Sequence, residues 1–299
     1  MDGVIIVDKP EGMTSHDVVN RVRRIINVRK VGNVRKVGHL GTLDPMATGV
    51  LPLLAGRATR LAQFFSGGEK VYDARVQFGW STDTYDREGA KTSDAVEPRF
   101  TRQELEAALA KFRGPILQTP PQFSAKKISG TPAYRLARQG AAVTLAPVRV
   151  EVFELELRDF GGPSADLHIR CSTGTYVRSI VHDLGQALGC GAFLAGLRRT
   201  ASGEFKEEEA RSLDTLADLA RDGKLDSALI PAVRLLPEFP SAVLDAITTG
   251  QIRQGKDFRL SPFVERGGCK YVKALSPEGD LVAIGEARLP HVYHPILVL

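Results

Sequence analysis

Three cysteines (Cys171, Cys190 and Cys269) are scattered through 299 residues, with no CxxC pair and no histidine cluster. Zinc ligation and a disulfide framework are therefore not suggested. No GxGxxG fingerprint, no Walker loop and no metal-spaced histidine set occurs, so neither a cofactor nor a metal is expected. Long apolar runs are missing too. The early one, Val4 to Val7, follows the acidic start Met1-Asp2-Gly3 and is too short for a signal peptide or a membrane span. A soluble, cytoplasmic chain is the expectation.

The composition that remains is ordinary: 43% hydrophobic and 25% charged, enough for one large domain and a small one. A net charge of +5 fits a polyanionic partner without demanding one. Val4-Ile5-Ile6-Val7 reads as a strand running into the turn Asp8-Lys9-Pro10-Glu11-Gly12. Thr14 or Ser15 then caps a helix with Val18, Val19, Val22, Ile25 and Ile26 at helical spacing. The hexapeptide Asn27 to Gly32 recurs unchanged as Asn33 to Gly38, too short for a solenoid repeat, and reads as a duplication lengthening a basic loop.

Residues 70 to 79 alternate as a strand, with Tyr72, Ala74, Val76 and Phe78 on one face. Thr101-Arg102-Gln103-Glu104 matches a capping box opening a helix that Gly114 and Pro115 stop. Residues 119 to 147, rich in Pro, Gly, Lys and Arg, read as a protruding segment. Two strands (148–157 and 167–171) and a helix over about 175–188 follow. After Pro237 and Pro240 a short helix near Ser241 to Thr249 and several short strands suggest a mostly β module. Strands and helices mix without βαβ alternation, so the class is α+β.

The stretch Gly38-His39-Leu40-Gly41-Thr42-Leu43-Asp44-Pro45-Met46-Ala47-Thr48-Gly49-Val50-Leu51 is a shaped loop feeding an apolar strand. Its single carboxylate, Asp44, lies among apolar neighbours. Partial desolvation makes such a group a better nucleophile if a cation keeps it ionised. On residue types alone, the commoner reading is an Asx turn before proline.

That stretch resembles the signature loop of the TruB-type pseudouridine synthases, the bacterial tRNA pseudouridine-55 synthases. Further segments resemble the family in order. They are the Lys9-Pro10-Glu11-Gly12 turn, Lys70-Val71-Tyr72, Gly174-Thr175-Tyr176-Val177-Arg178 and Leu197-Arg198-Arg199-Thr200. Pro120 to Lys127, with Ala133-Tyr134 and Ala137-Arg138, resembles the inserted thumb. The resemblance implies a catalytic domain over 1–236, with a mixed, mostly antiparallel sheet and the thumb over about 119–147. Residues 237–299 resemble a PUA-like RNA-binding domain by length and position.

The resemblance also assigns roles. Asp44 attacks the target uridine at C6 or C1′, Arg178 keeps it ionised, and Tyr72 stacks on the flipped base. Tyr176 and Leu197 wall the pocket, and Lys9 supports the loop. His39 fills the space the base vacates. Lys126, Lys127, Arg135 and Arg138, with Arg198 and Arg199, meet phosphates, although each singly is more often a solvated charge. The partner implied is tRNA, at its T-stem-loop, bound to a monomer. Pseudouridine formation is an isomerisation, which accounts for the missing cofactor motif.

The chain departs from the family at the duplicated hexapeptide, just before Gly38-His39, where a tolerated outward bulge is expected. Two other readings remain open. One is a guide-RNA-dependent rRNA pseudouridine synthase, which would lack the Phe123-Ser124-Ala125-Lys126-Lys127 thumb. The other is an RNA-binding or tRNA-folding protein whose catalysis is incidental.

Overall fold

The computed structural model describes residues 2–27, 36–124, 126–128, 130–139, 145–261 and 269–299. In chain order the strands begin with β1 (Gly3–Lys9), β2 (Val37–His39), β3 (Thr48–Ala55), β4 (Lys70–Phe78), β5 (Gly114–Gln118), β6 (Lys127–Ile128) and β7 (Thr131–Pro132). They continue with β8 (Val148–Gly161), β9 (Ser164–Cys171), β10 (Ala192–Ser202), β11 (Phe205–Lys206) and β12 (Leu229–Pro231). The last five are β13 (Ser241–Val243), β14 (Phe258–Arg259), β15 (Tyr271–Leu275), β16 (Leu281–Leu289) and β17 (Val292–Val298). The α-helices are α1 (Ser15–Asn27), α2 (Arg102–Leu109), α3 (Ala133–Arg138), α4 (Val177–Ala187), α5 (Leu213–Asp222) and α6 (Ala246–Arg253). No helix among the described residues is long and apolar enough to cross a membrane.

The larger sheet runs β12-β1-β3-β10-β4-β9-β8-β5, with β2 beside β3 and β11 beside β10. Every pairing is antiparallel except β3 with β10, where Arg198 stands opposite Thr48. The expected α+β class with a mostly antiparallel sheet is what the chain adopts. β4 alternates as its residues dictate: Tyr72, Ala74, Val76 and Phe78 go into the core, while Asp73 and Arg75 face water. The capping box at Thr101 and Glu104 forms, and Val18, Val19, Val22, Ile25 and Ile26 of α1 are buried.

Two elements differ from expectation. β10, the strand between β3 and β4, was not anticipated, because Gly196 and the Arg198-Arg199 pair break the alternation that marks a strand. Its bulges at Leu194/Gly196 and Arg199/Ala201 bracket Leu197 to Arg199 and re-aim those side chains. The expected helix near Ser241–Thr249 starts instead at Ala246, capped by Asp245, whose carboxylate accepts from Thr248 N at 2.7 Å. Ser241–Val243 is a strand, recruited in parallel by β15. Most of the hexapeptide duplication, residues 28–35, lies outside the described residues, so its expected bulge has no structural counterpart here.

The smaller sheet has the order β13-β15-β16-β17-β14. Its Leu275, Leu281, Ile284 and Leu297 join one apolar cluster with Val4 and Ile6 of β1 and Val50 and Leu54 of β3. The alternate residues Ile5, Val7, Leu51 and Leu53 face the main core with α1. Both strands are thus buried on both faces, which is why they read as continuous apolar runs. Lys273 adds a polar tie, its Nζ donating to the carbonyls of Val233 (3.1 Å) and Leu235 (2.9 Å).

Gly49 is where this architecture tolerates only glycine. Its φ is +97°, and a Cβ there would lie 2.3 Å from the carbonyl oxygen of Arg199 on the neighbouring strand. Gly49→Ala is expected to cost about 3 kcal/mol or more, from left-handed strain and strand displacement together. A urea titration would register this as a lower midpoint with an unchanged m-value.

Candidate active site

Residues 40 to 47, between β2 and β3, have no regular hydrogen-bond ladder, so other parts of the chain must hold them. Lys9, fully buried at the end of β1, donates through Nζ to the carbonyls of Pro10 (2.9 Å), Met13 (2.5 Å) and Pro45 (3.1 Å). Gly12 N also donates to Pro45 O at 2.8 Å. Ser15, weighed above as a helix cap, does something else. Its hydroxyl donates to Leu43 O (3.0 Å) and accepts from Leu43 N (2.8 Å), while Thr14 takes over the cap by accepting from Asp17 N at 3.1 Å. From the opposite side, Arg199 donates to Val50 O (2.8 Å), Gly41 O (3.2 Å) and Thr42 O (3.4 Å). Lys9 thus reaches the loop through the Pro45 carbonyl.

Clamped this way, Asp44 meets Arg178 in the first turn of α4. Nε lies 2.9 Å from Oδ2 and Nη2 donates to Oδ1 at 3.1 Å, a two-pronged pairing. The guanidinium continues to Asp86 Oδ2 (3.3 Å) and to the carbonyls of Thr84 and Phe123 (3.0 Å each). Asp86 is itself fixed by Thr84 Oγ1 (2.6 Å) and Glu88 N (3.0 Å), both donating to Oδ1. Just before it, Tyr85 adopts a left-handed φ of +65° and stacks on His182 with centroids 3.8 Å apart.

Arg178 is 6% exposed and Asp86 5%, but Asp44 keeps 34% of its side chain open. It is the one member of the trio that a ligand can touch. Burial pushes the Asp44 carboxyl above its usual range, against the opposing pull of Arg178, and Asp86 adds to the rise.

Asp44 opens into a cavity of about 230 Å³ lined by Tyr72, Tyr176, Leu197, Lys70, Arg178 and Arg199, among others. Tyr72 comes from β4 and Leu197 from β10, strands brought side by side by the pairing of Leu197 with Ala74. Tyr176 sits just before α4, its N–H donating to Gln118 Oε1 (2.8 Å) and its carbonyl accepting from Gln118 Nε2 (3.0 Å). Burial raises both phenols above their ordinary range.

Of the residues singled out in the sequence, Asp44, Tyr72, Tyr176, Arg178 and Leu197 line this cavity, while Lys9 lies behind the loop and holds its backbone. His39 does not line the cavity. It lies on β2 opposite Leu53, and its Nδ1 is buried without a hydrogen-bond partner. Lys126 donates weakly to Ala146 O at 3.5 Å and Arg135 is exposed, both in the segment that carries β6, β7 and α3. The side chains of Lys127 and Arg138 lie outside those described.

Arg198 and Arg199 require correction as free phosphate partners. Arg198 is engaged by Asp8 (3.1 Å) and Glu207 (2.7 Å), and Arg199 is 1% exposed and committed to backbone carbonyls. Sequence reading missed Asp86, Gln118 and Ser15. The run Thr82-Asp83-Thr84-Tyr85-Asp86 offered two carboxylates in a loop, with nothing to say which one turns inward.

Residues 29–177 match the profile of the TruB family pseudouridylate synthase N-terminal domain, and residues 178–236 that of the tRNA pseudouridylate synthase B C-terminal domain. A tRNA pseudouridine synthase B of Solibacter usitatus (strain Ellin6076) is 58% identical over 299 residues, covering 100% of both chains. One from Opitutus terrae is 45% identical over 237 residues, covering 79% of this chain and 95% of its own. Among solved structures, one of a Cbf5–Nop10–Gar1 complex aligns with a TM-score of 0.68 at 28% identity, over 95% of this chain and 78% of the other. The matched segments carry the clamped loop, the arginine at the head of α4 and the β10 bulge, and the chain belongs to the TruB family of pseudouridylate synthases.

Proposed function

We propose that this chain isomerises one uridine of transfer RNA to pseudouridine, at position 55 in the T-loop, with Asp44 as the nucleophile. The observation that carries this reading is the third-open carboxylate of Asp44, paired through both oxygens with a buried arginine at a cavity walled by two tyrosines and a leucine. The resemblance to full-length relatives named for this activity supports it, and favours tRNA over a guide-RNA-dependent target.

In this reading the uridine leaves its stack, at a cost of a few kcal/mol, and enters the cavity against Tyr72. Asp44 attacks C6 or C1′, the C1′–N1 bond breaks, and the base turns. C5 then bonds to C1′, one proton leaves C5 and one joins N1. Atoms and electrons balance without a redox partner. Arg178 suits its post because a guanidinium stays charged at every working pH and grips a carboxylate with two donors. Tyr72 stacks on the base, while Tyr176 and Leu197 hold it against the loop.

Lys126, Lys127, Arg135 and Arg138 of the thumb, over 119–147, meet T-stem phosphates in this reading, and His39 fills the space left by the flipped base. Residues 237–299 act as a PUA-like RNA-binding module beside the catalytic domain over 1–236. The working unit in this reading is a monomer.

Asp44→Asn should abolish pseudouridine formation by at least about 10³-fold while tRNA affinity stays within about threefold. Site-resolved mapping on an unmodified transcript, beside a filter-binding titration, measures both. No modified T-loop uridine with the wild-type chain would sink the proposal.

The acid limb supplies a second test. Attack needs the carboxylate, so kcat/KM falls as pH drops through the Asp44 pKa. Because burial raises that pKa, the fall should begin above the pH range usual for an aspartate. Arg178→Met removes the main opposing charge, so its limb should move to still higher pH, with a loss of about 10²-fold near neutrality. A limb that stays in place would contradict the role given to Arg178.

A further inference from the structure

Two cations beneath the catalytic cavity have no carboxylate against them. Lys70, the first residue of β4, is 7% exposed, and its Nζ donates to Ser202 Oγ at 2.9 Å. Arg199 spends its donors on the three loop carbonyls described above. No ion pair involves either among the described residues. Both line the same 230 Å³ cavity as Asp44, and both lie against Gly41 of the loop.

The cavity is therefore polar end to end. Asp44 and Asp86 share the charge of Arg178 on one wall, with Lys9 behind the loop acting on Asp44 as well. Lys70 and Arg199 give the floor two positive charges. The groups facing Lys70 are Arg199 and Ser202 from β10, Cys171 from β9, and the loop backbone at Gly41. Glu204 and Glu238 line a neighbouring cavity of about 310 Å³ whose wall Lys70 also forms.

A buried cation without a counterion costs folding free energy. It is best explained by an anion that the substrate supplies. Depth selects which one. Lys70 and Tyr72 are closed to solvent alike, at 7% and 8% exposure, and line one cavity, so the anion is assigned to the base that enters against Tyr72 and not to an outlying phosphodiester.

We propose that Lys70, backed by Arg199, stabilises the negative charge that builds on the uracil ring during isomerisation. The inference rests on the reading that the Asp44 site makes pseudouridine. When the C1′–N1 bond breaks, its electron pair stays on N1 and spreads to O2 and O4, while the Asp44 carboxylate compensates C1′. Attack at C6 instead pushes a pair onto C5 and O4. Either route passes through an anionic ring. The charge disappears when C5 bonds to C1′, C5 loses its proton and N1 gains one, and Lys70 keeps its own proton throughout. Preorganised charge of this kind acts where charge develops, not on the ground state.

Burial and the Arg199 charge lower the Lys70 pKa to about 8, with the Cys171 thiol opposing, so the floor loses half its charge within a workable pH range. Lys9 falls to about 8 as well, so the alkaline limb of the wild type alone does not identify its owner.

The experiment compares wild type, Lys70→Met and Lys70→Arg on unmodified tRNA. Lys70→Met should lower the single-turnover rate at saturating enzyme by about 10²-fold, with tRNA affinity within about threefold and a Tm equal to or above wild type. Its kcat/KM should lack the alkaline fall near 8 expected of the wild type. Lys70→Arg, whose charge does not titrate, should retain more of the rate and move that fall upward. Should Lys70→Met be unstable, the Lys70→Arg profile decides alone. A Lys70→Met rate equal to wild type, a loss confined to tRNA affinity (a phosphate contact), or an alkaline fall unchanged in both variants would overturn the proposal. Failure of the wild type to make pseudouridine would instead overturn the Asp44 reading beneath it.

Discussion

The Arg178 guanidinium is the group on which the site depends. Five acceptor contacts surround it: both oxygens of Asp44, one of Asp86, and the carbonyls of Thr84 and Phe123. They come from the signature loop, from the segment after β4 and from the segment after β5, and the arginine itself heads α4. One planar side chain therefore sets the mutual positions of four stretches that share no regular ladder. Lysine could not do this, because a point charge with three donors matches neither the fork of a carboxylate nor the spread of partners. A buried pair that loses one member leaves an uncompensated charge, at about 3–5 kcal/mol, so the arrangement persists only as a whole.

The loop carrying Asp44 is held by a complementary device. Lys9, Ser15 and Arg199 all satisfy its backbone and leave its side chains free. Fixing the main chain of a loop fixes the direction of the Asp44 carboxylate without filling the cavity in front of it. This is how a segment with three glycines becomes rigid enough for chemistry, which needs groups placed to within a fraction of an ångström. Two of the three clamps are cations, and a backbone carbonyl asks less of a cation than a carboxylate does. Their charge stays unneutralised and contributes to the field in the cavity.

What was legible in the sequence was whatever is local. β4 announced itself by alternation, α2 by its capping box, and the Asp44 loop by glycines and proline that exclude regular structure. Tyr72 and Arg178 were found through resemblance and then brought together by the fold. The rest depended on distant partners. Arg199 read as a surface charge because its carbonyl acceptors lie about 150 residues earlier in the chain. Asp86 was one loop carboxylate among several, and only the turn at Tyr85 decides that it faces inward. Ser15 was sought as a cap because capping is local, whereas its real partner, Leu43, is 28 residues away. β10 was hidden because its bulges, which aim Leu197 into the cavity and Arg199 beneath the loop, also spoil the alternation that would betray a strand.

The smaller sheet belongs to the same chain of causes. β1 ends at Lys9 and β3 begins just after the Asp44 loop, so the placement of both clamp and nucleophile is inherited from these two strands. Each is buried on one face by the main core and on the other by a second apolar layer, to which Ala58, Leu61, Phe205 and Leu235 contribute together with Leu275, Leu281, Ile284 and Leu297 of the smaller sheet. Removing the second layer would expose Val4, Ile6, Val50 and Leu54, four fully buried side chains worth about 1.5–3 kcal/mol each. The strands that aim the nucleophile would then be covered on one side only. The C-terminal sheet, through its share of that layer, thus adds to the support of the strands on either side of the Asp44 loop, so its apolar face belongs to the foundation of the site along with the ion pair at its centre.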